Sequence, residues 1–239
     1  MKKLLAFMLF SASLAGFSQD SKVVNEKNAQ ERKVSGFHAV HVSHGIDLVL
    51  TPGTSEKVVI SASDPELTNK ILTEVKDGVL KIYIENQNWN WHWGKNTRMV
   101  AYVSYKQIDD LDASGGSDIK VEGTISGERL SLDISGGGDF NGKVNVKKLN
   151  VDVSGGGDLT ISGNATDVDI DVSGGGEFKG SGLVTDNCSI DASGGSDISI
   201  TCNKSLSVES SGGSDVYYKG TAVIKKSNTS GGGSVTRRD

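Results

Sequence analysis

The sequence predicts an all-β fold: a right-handed parallel β-helix, or solenoid, with coils of about 19 residues behind an N-terminal β-rich capping segment. Three observations predict it. A motif of the form Ser-Gly-Gly-(Ser/Gly)-(Asp/Glu)-apolar begins at Ser114, Ser135, Ser154, Ser173, Ser193 and Ser211, and a degenerate copy begins at Ser230 with Ser234 in place of the acid. The intervals are 21, 19, 19, 20, 18 and 19 residues. Between motifs the apolar residues alternate strictly, as in Leu149, Val151 and Val153 or Val168, Ile170 and Val172, and a period of two built from β-branched residues means strands.

One copy cannot bury its apolar row alone. Stacked copies can, because like positions then fall over like positions about 4.8 Å apart and the inward rows fuse into one core. The Gly-rich motif supplies the corner, where missing Cβ atoms permit a tight, left-handed bend. An antiparallel sandwich with each motif as a hairpin is the competing architecture. The matching identity of residues at matching positions favours the stack. A right-handed winding follows from the usual crossover preference. In the last copy Lys225, Ser227 and Thr229 stand where apolar residues would point inward, which predicts a frayed or capping coil.

The elements before the repeat read in order as follows. Residues 1–18 have the form of a secretory signal: Lys2 and Lys3, an apolar run from Leu4 through Leu14, then small residues around Gly16 and Ser18. Residues 19–33 form a polar leader, expected to be mobile. Residues 34–107 form a β-rich part, with extended runs at 37–42, 46–50, 58–62, 79–84 and 99–103 and turns at Thr51-Pro52-Gly53 and Asp77-Gly78. Asp64 followed by Pro65 predicts a short helix over 65–72. This part is expected to cover the first end of the solenoid, which occupies 108–239, and so to protect an open sheet edge.

Composition narrows the function. The chain has 239 residues and a net charge of −5, which becomes 23 − 30 = −7 once Lys2 and Lys3 are removed with the signal. A mildly acidic exported chain without a basic tract is a poor nucleic-acid binder. No stretch after the signal approaches the roughly 20 apolar residues of a membrane helix, so no transmembrane span is expected in the mature chain. Periplasm, outer-membrane surface and medium all remain open as destinations. Cys188 and Cys202 are an even pair in a disulfide-permissive compartment, although Cys188 holds a repeat position taken elsewhere by Leu130, Leu149 and Val168 and reads better as a small buried hydrophobe.

The run Gly36-Phe37-His38-Ala39-Val40, then Gly45-Ile46-Asp47-Leu48-Val49-Leu50, then Asp77-Gly78-Val79-Leu80-Lys81-Ile82, followed by the Ser-Gly-Gly-Ser-Asp repeats, resembles the auto-transporter adhesin head GIN family of Bacteroidetes envelopes. The resemblance covers roughly residues 34–220, with Asp47 where the name-giving motif has Asn. It implies an exported β-helical domain of unknown function, adhesive or otherwise surface-interacting and non-enzymatic, whose partner is a surface protein or a glycan. It transfers no catalytic residues.

Three groups of side chains are candidates for chemistry. One carboxylate row contains Asp118, Asp139, Asp158, Glu177, Asp197 and Asp215; a second contains Asp112, Asp133, Asp152, Asp171, Asp191 and Glu209. Both are predicted outward. Calcium is the hard cation that such oxygens would take, at the first row above all, and the Gly-Gly-Gly-Asp text is superficially similar to calcium-binding nonapeptide rolls. The period of 19 argues instead for a solvated acidic face without a cofactor. Trp89, Trp91 and Trp93 share one face of an extended segment and could stack on sugar rings, or pack over the solenoid end. His38, His41 and His44 are evenly spaced, but an extended backbone sends His41 opposite the other two, against a zinc site. Paired carboxylates serve polysaccharide hydrolases, yet these acids recur because the repeat recurs, and no distinct Asp, His and Arg group stands out. No catalytic residue is assigned.

Overall fold

The computed structural model describes residues 28–85 and 97–238. The signal-like segment, most of the leader and Trp89, Trp91 and Trp93 lie outside the described residues. The chain is nearly all β, a solenoid of about seven turns with coils about 19 residues apart.

The strands, in chain order, are β1 (Gln30–Arg32), β2 (Ala39–Val42), β3 (Asp47–Pro52) and β4 (Lys57–Ala62), then helix α1 (Pro65–Lys70), then β5 (Ile71–Lys76), β6 (Val79–Ile84), β7 (Met99–Tyr105) and β8 (Asp110–Ala113). The repeat follows as β9 (Ile119–Gly136), β10 (Phe140–Gly155), β11 (Leu159–Gly174), β12 (Glu177–Gly194) and β13 (Asp197–Ser210), and the last coils as β14 (Asp215–Lys219), β15 (Val223–Thr229) and β16 (Ser234–Arg237). All pairings from β8 through β16 are parallel, which excludes the hairpin sandwich.

Like residues stack in register. Phe140 pairs with Ile119 and Leu159, Leu149 with Leu130 and Val168, and Cys188 with Val168 and Leu206. Each of these side chains is at most 5% exposed, so one unbroken apolar core runs along the axis. Each inward row contributes the favourable burial of a Val, Leu or Phe, about 1.5 to 3 kcal/mol per side chain. Cys188 and Cys202 are both buried and free; the bridge does not form, and Cys188 packs as a hydrophobe in its row.

The corners bend as the glycines suggested. Gly136, Gly155, Gly174 and Gly194 all have positive φ, and each corner is tied to the one before it, as by Gly175 N–H to the Gly155 carbonyl at 2.9 Å and Gly195 N–H to the Gly174 carbonyl at 2.8 Å. A Cβ on Gly174 would lie 2.1 Å from the Gly155 carbonyl oxygen. Only Gly lets successive corners approach this closely.

The order of coils along the axis is not the order of the chain. β2 and β3 pair in parallel with β8 and β9 on one side and with β6 and β7 on the other. Residues 39–52 are therefore a coil of the stack, and residues 79–105, later in sequence, lie outside them. The outermost coil is then covered by antiparallel strands: β4 on β7, β5 on β6, and β1 on β4. Covering of the first end is thus done by β1, β4, β5 and α1. Two local expectations need correction. The helix stops at Lys70, and Ile71 enters β5, because its side chain (1% exposed) is drawn into the core. Residues 30–32 of the leader are ordered against β4.

At the other end β15 and β16 add a coil on β13 and β14. Every residue of β15 is exposed, including Val223 and Ile224. Ser227 and Thr229 stand opposite the inward Val208 and Ser210 as expected, but Ile224 and not Lys225 stands opposite Leu206, because a register shift leaves Lys225 without a partner in β13.

Candidate functional site

Outward positions of a parallel stack bring identical side chains into columns, so the repeat itself builds the two carboxylate rows. The first row sits at the exit of each corner. The carboxylate of Asp118 accepts the backbone N–H of Asp139 at 2.9 Å, Asp139 accepts that of Asp158 at 2.9 Å, and Asp158 accepts that of Glu177 at 3.2 Å. Like charges one coil apart would repel in water by roughly 1 kcal/mol. Here a hydrogen bond to an ionised acceptor, a contact worth roughly 1.5 to 3 kcal/mol, offsets the repulsion at these three rungs.

Lys179 reinforces the row where Glu177 replaces Asp, bridging Asp158 at 2.9 Å and Glu177 at 3.0 Å. That contact holds the Asp158 carboxyl below the usual range. Further on, Asp215 accepts the Ser234 hydroxyl at 2.6 Å.

The row begins before the repeat. The backbone of Asp118 donates to the carboxylate of Asp47, and Leu48 N–H donates to the Asp118 carbonyl at 2.7 Å as Ile119 N–H does to that of Asp139. His44 and Gly45 both have positive φ, matching Gly115 and Gly116 in the next coil. His44-Gly45-Ile46-Asp47 is therefore a corner like Gly115-Gly116-Ser117-Asp118, recognisable only in register. Asn and Asp each offer the oxygen this rung needs, which makes Asp47 an easy replacement for Asn. Partial burial and the nearby Asp118 push the Asp47 carboxyl up.

The second row runs along a sheet face, from Asp112 through Asp133, Asp152, Asp171 and Asp191 to Glu209, each pair in register. At its first end the column continues in register from Asp112 to His41 and from His41 to Lys81. His41 Nε2 lies 2.8 Å from Asp110 Oδ2. This hydrogen bond raises the His41 pKa, while burial, then neighbouring carboxylates, raise those of Asp112 and Asp133. Nearby, Asp109 meets His38 at 2.8 Å and Arg129 at 3.4 Å.

Sequence reasoning missed both clusters, because they join β2 to β8 and β9, whose neighbourhood depends on the coil order. Tight His-Asp pairs can move protons. His44 bonds Ser43 at 2.7 Å, so the three histidines go to three different partners. Among the described residues no three His, Cys, Asp or Glu side chains gather as a metal-holding group. The tryptophans expected at a sugar-binding face fall outside the described residues.

A shallow cleft of about 430 Å³ lies at the corner opposite the glycines, lined by residues including Asn145, Asn164, Thr166 and Val184. No residue of the carboxylate rows or the histidine clusters lines it.

Fold and surface together define a parallel β-solenoid with hydrogen-bonded acidic corners, whose side chains face outward in columns and form no enclosed reaction centre among the described residues. The chain belongs to the family described as "Putative auto-transporter adhesin, head GIN domain", whose model matches residues 36–222. Its Gly45-Ile46-Asp47 corner lies near the start of that match.

The chain is similar in fold to solved structures of Bacteroidetes proteins. A "putative adhesin" from Bacteroides fragilis superposes with a TM-score of 0.78 at 21% identity, and a "putative adhesin" from Parabacteroides distasonis with 0.72 at 18%. A "putative lipid binding protein" from Parabacteroides distasonis gives 0.69 at 18%. Each comparison covers 88% of this chain and 96% of the other. No curated protein matches. Among the described residues no helix is long and apolar enough to cross a membrane.

Proposed function

We propose that the protein is an exported, non-enzymatic surface-interaction domain of the bacterial envelope that presents the long side of its solenoid to a partner. The observation that carries this reading is the membership of a family described as adhesin heads, over residues 36–222. The geometry supports it. Interlocked corners and an unbroken core make a stiff rod, and its columns repeat one outward chemistry every coil. A rod of this kind suits binding along an extended surface rather than turnover of a small substrate. The signal-like residues 1–18 place the mature protein beyond the inner membrane in this reading.

The test is direct. Intact cells of the source organism are treated with protease and the protein is followed by antibody, while the purified chain is assayed for binding to envelope fragments and to cultured epithelial cells. Digestion on intact cells together with saturable binding is the expected result. Full protection, with no binding to either surface, would remove the proposal.

A further inference from the structure

An irregular coil of the repeat builds the cleft. Successive motifs are 21, 19 and 19 residues apart up to Ser173, then 20, then 18. The additional residue appears as a bulge: Thr160 pairs with Lys179 but Ser162 pairs with Gly182, so Ile161 faces two residues of β12. Against β13 the register then jumps from Gly180 to Val184, leaving Ser181 to Leu183 without partners there. Val184 is lifted to 42% exposure, and within the repeats from β9 to β13 no other large apolar side chain is so exposed. Bulges of this kind re-aim side chains and recur beside functional sites.

Val184 forms one wall of the cleft. The column beside it falls from Val146 to Ala165 to Thr185, and the small Ala165 deepens the floor, where Val146 and Ala165 are 6% and 4% exposed. Over this apolar floor stand Asn145 and Asn164, one coil apart in register, with Thr166 beside them. The side chains of these three residues have no hydrogen-bond partner in the protein among the described residues. The charges at the rim are already matched: Lys147 with Glu128 at 2.8 Å, and Asp186 with Lys204 at 2.8 Å.

We infer that this cleft is a binding site for a short neutral saccharide. Two free amides and a hydroxyl offer donors and acceptors to the hydroxyls of a sugar. The exposed methyl groups of Val184 offer apolar contact to the C–H face of a ring. Internal pairing of the rim charges leaves no net attraction for an ionic ligand, and a volume of about 430 Å³ lies within the range of small-ligand sites. The site is distinct from Trp89, Trp91 and Trp93 and stands on the cleft geometry, whatever surface the whole protein binds.

The test uses the full mature chain and a panel of neutral di- and trisaccharides of glucose, galactose and N-acetylglucosamine. Saccharides are titrated while the side-chain amide resonances of isotope-labelled protein are followed. At least one saccharide is expected to shift the Asn145 and Asn164 NH₂ signals saturably. The exposed double variant Asn145→Ala/Asn164→Ala, checked for an unchanged melting curve, is expected to bind about tenfold more weakly or worse, the loss of two ligand hydrogen bonds.

Thr166→Lys, which fills the cleft from an exposed position, keeps the inference testable should the double variant be unstable, and is expected to abolish the shifts. No shift with any saccharide would overturn the inference. So would shifts caused instead by an uncharged Gly-Ser peptide, or binding retained in both variants but lost on Trp89→Ala/Trp91→Ala/Trp93→Ala. Surface binding by the intact protein without saccharide shifts would remove the cleft assignment and leave the adhesive reading standing; shifts without surface binding would do the reverse.

Discussion

Phe140 and Gly142 point into the core two residues apart on β10, and a Cβ on Gly142 would lie 2.7 Å from Phe140 Cζ and 2.9 Å from Val121 Cγ2. The same pairing recurs at Phe178 and Gly180, where the nearest ring atom is 2.3 Å from that position. Coils carrying aliphatic residues at the first position, such as Ile119 with Val121 or Leu159 with Ile161, carry a full side chain at the second. Each coil therefore fills a similar volume, either with one ring or with two branched chains.

Gly142→Ala should consequently destabilise the protein by about 1 to 3 kcal/mol, the usual range for an overpacked core. Because both clashing groups are side chains, Phe140→Leu in the same chain should recover much of the loss. Denaturant unfolding of the single and double variants measures the coupling. Purely additive losses would show that the two positions do not share one space.

At the corners the clash is with backbone and cannot be relieved in this way. Gly174 combines a φ of 122° with a prospective Cβ contact of 2.1 Å, whereas Gly175 has open space around that point and lacks a positive φ. Gly174→Ala should cost about 3 kcal/mol or more, and Gly175→Ala should lie within about 1 kcal/mol of the parent. Comparable melting temperatures for the two variants would contradict the stacked-corner account.

The acidic corners make their own prediction. Asp139→Ala removes the acceptor for Asp158 N–H and should cost about 1 kcal/mol, while Asp139→Asn keeps an acceptor and should stay within about 0.5 kcal/mol. With backbone donors already serving these oxygens, EDTA should leave the melting temperature of purified protein unchanged. A fall on chelation, reversed by added calcium, would reveal a cation holding the row.

Stability should rise as pH falls from 8 to about 5. The folded His41 pKa lies above the ordinary value near 6.5, so its contribution is complete below that value and lost as pH climbs through the folded pKa. Asp47, Asp112 and Asp133 are also raised; the folded state holds more protons than the unfolded chain between about pH 3.9 and their folded pKa values, and stability declines as pH rises across that window. Asp158, held low, acts in the opposite sense and loses its contribution only in stronger acid. Calorimetry should show the higher melting temperature at pH 5, and His41→Gln should remove the part of the change near and above pH 6.5. A melting temperature that is flat, or higher at pH 8, would contradict the assignment.

Much of this architecture was legible in the residues. Leu149, Val151 and Val153 alternate, so their inward direction follows from strand geometry alone. The acids flanking each corner must then point out, and stacking must place them in columns. The hydrogen bond from Asp158 N–H to Asp139 was not legible, because it depends on how closely corners approach. Nor was the cleft: the interval of 20 residues marks an irregular coil, but not that its bulge would lift Val184 to the surface.

Residue order therefore determined the period, the corners, the inward rows and the two acidic columns, because alternation and left-handed glycines act within a few residues. Only the tertiary structure decided that 79–105 would lie outside 39–52, that His44 to Asp47 would stand as a corner, and that His41 would head a row of carboxylates. Those outcomes turn on which sheet edge is open to each strand and which apolar row fits against it. That choice is made between segments far apart in the chain, where no local pattern reaches.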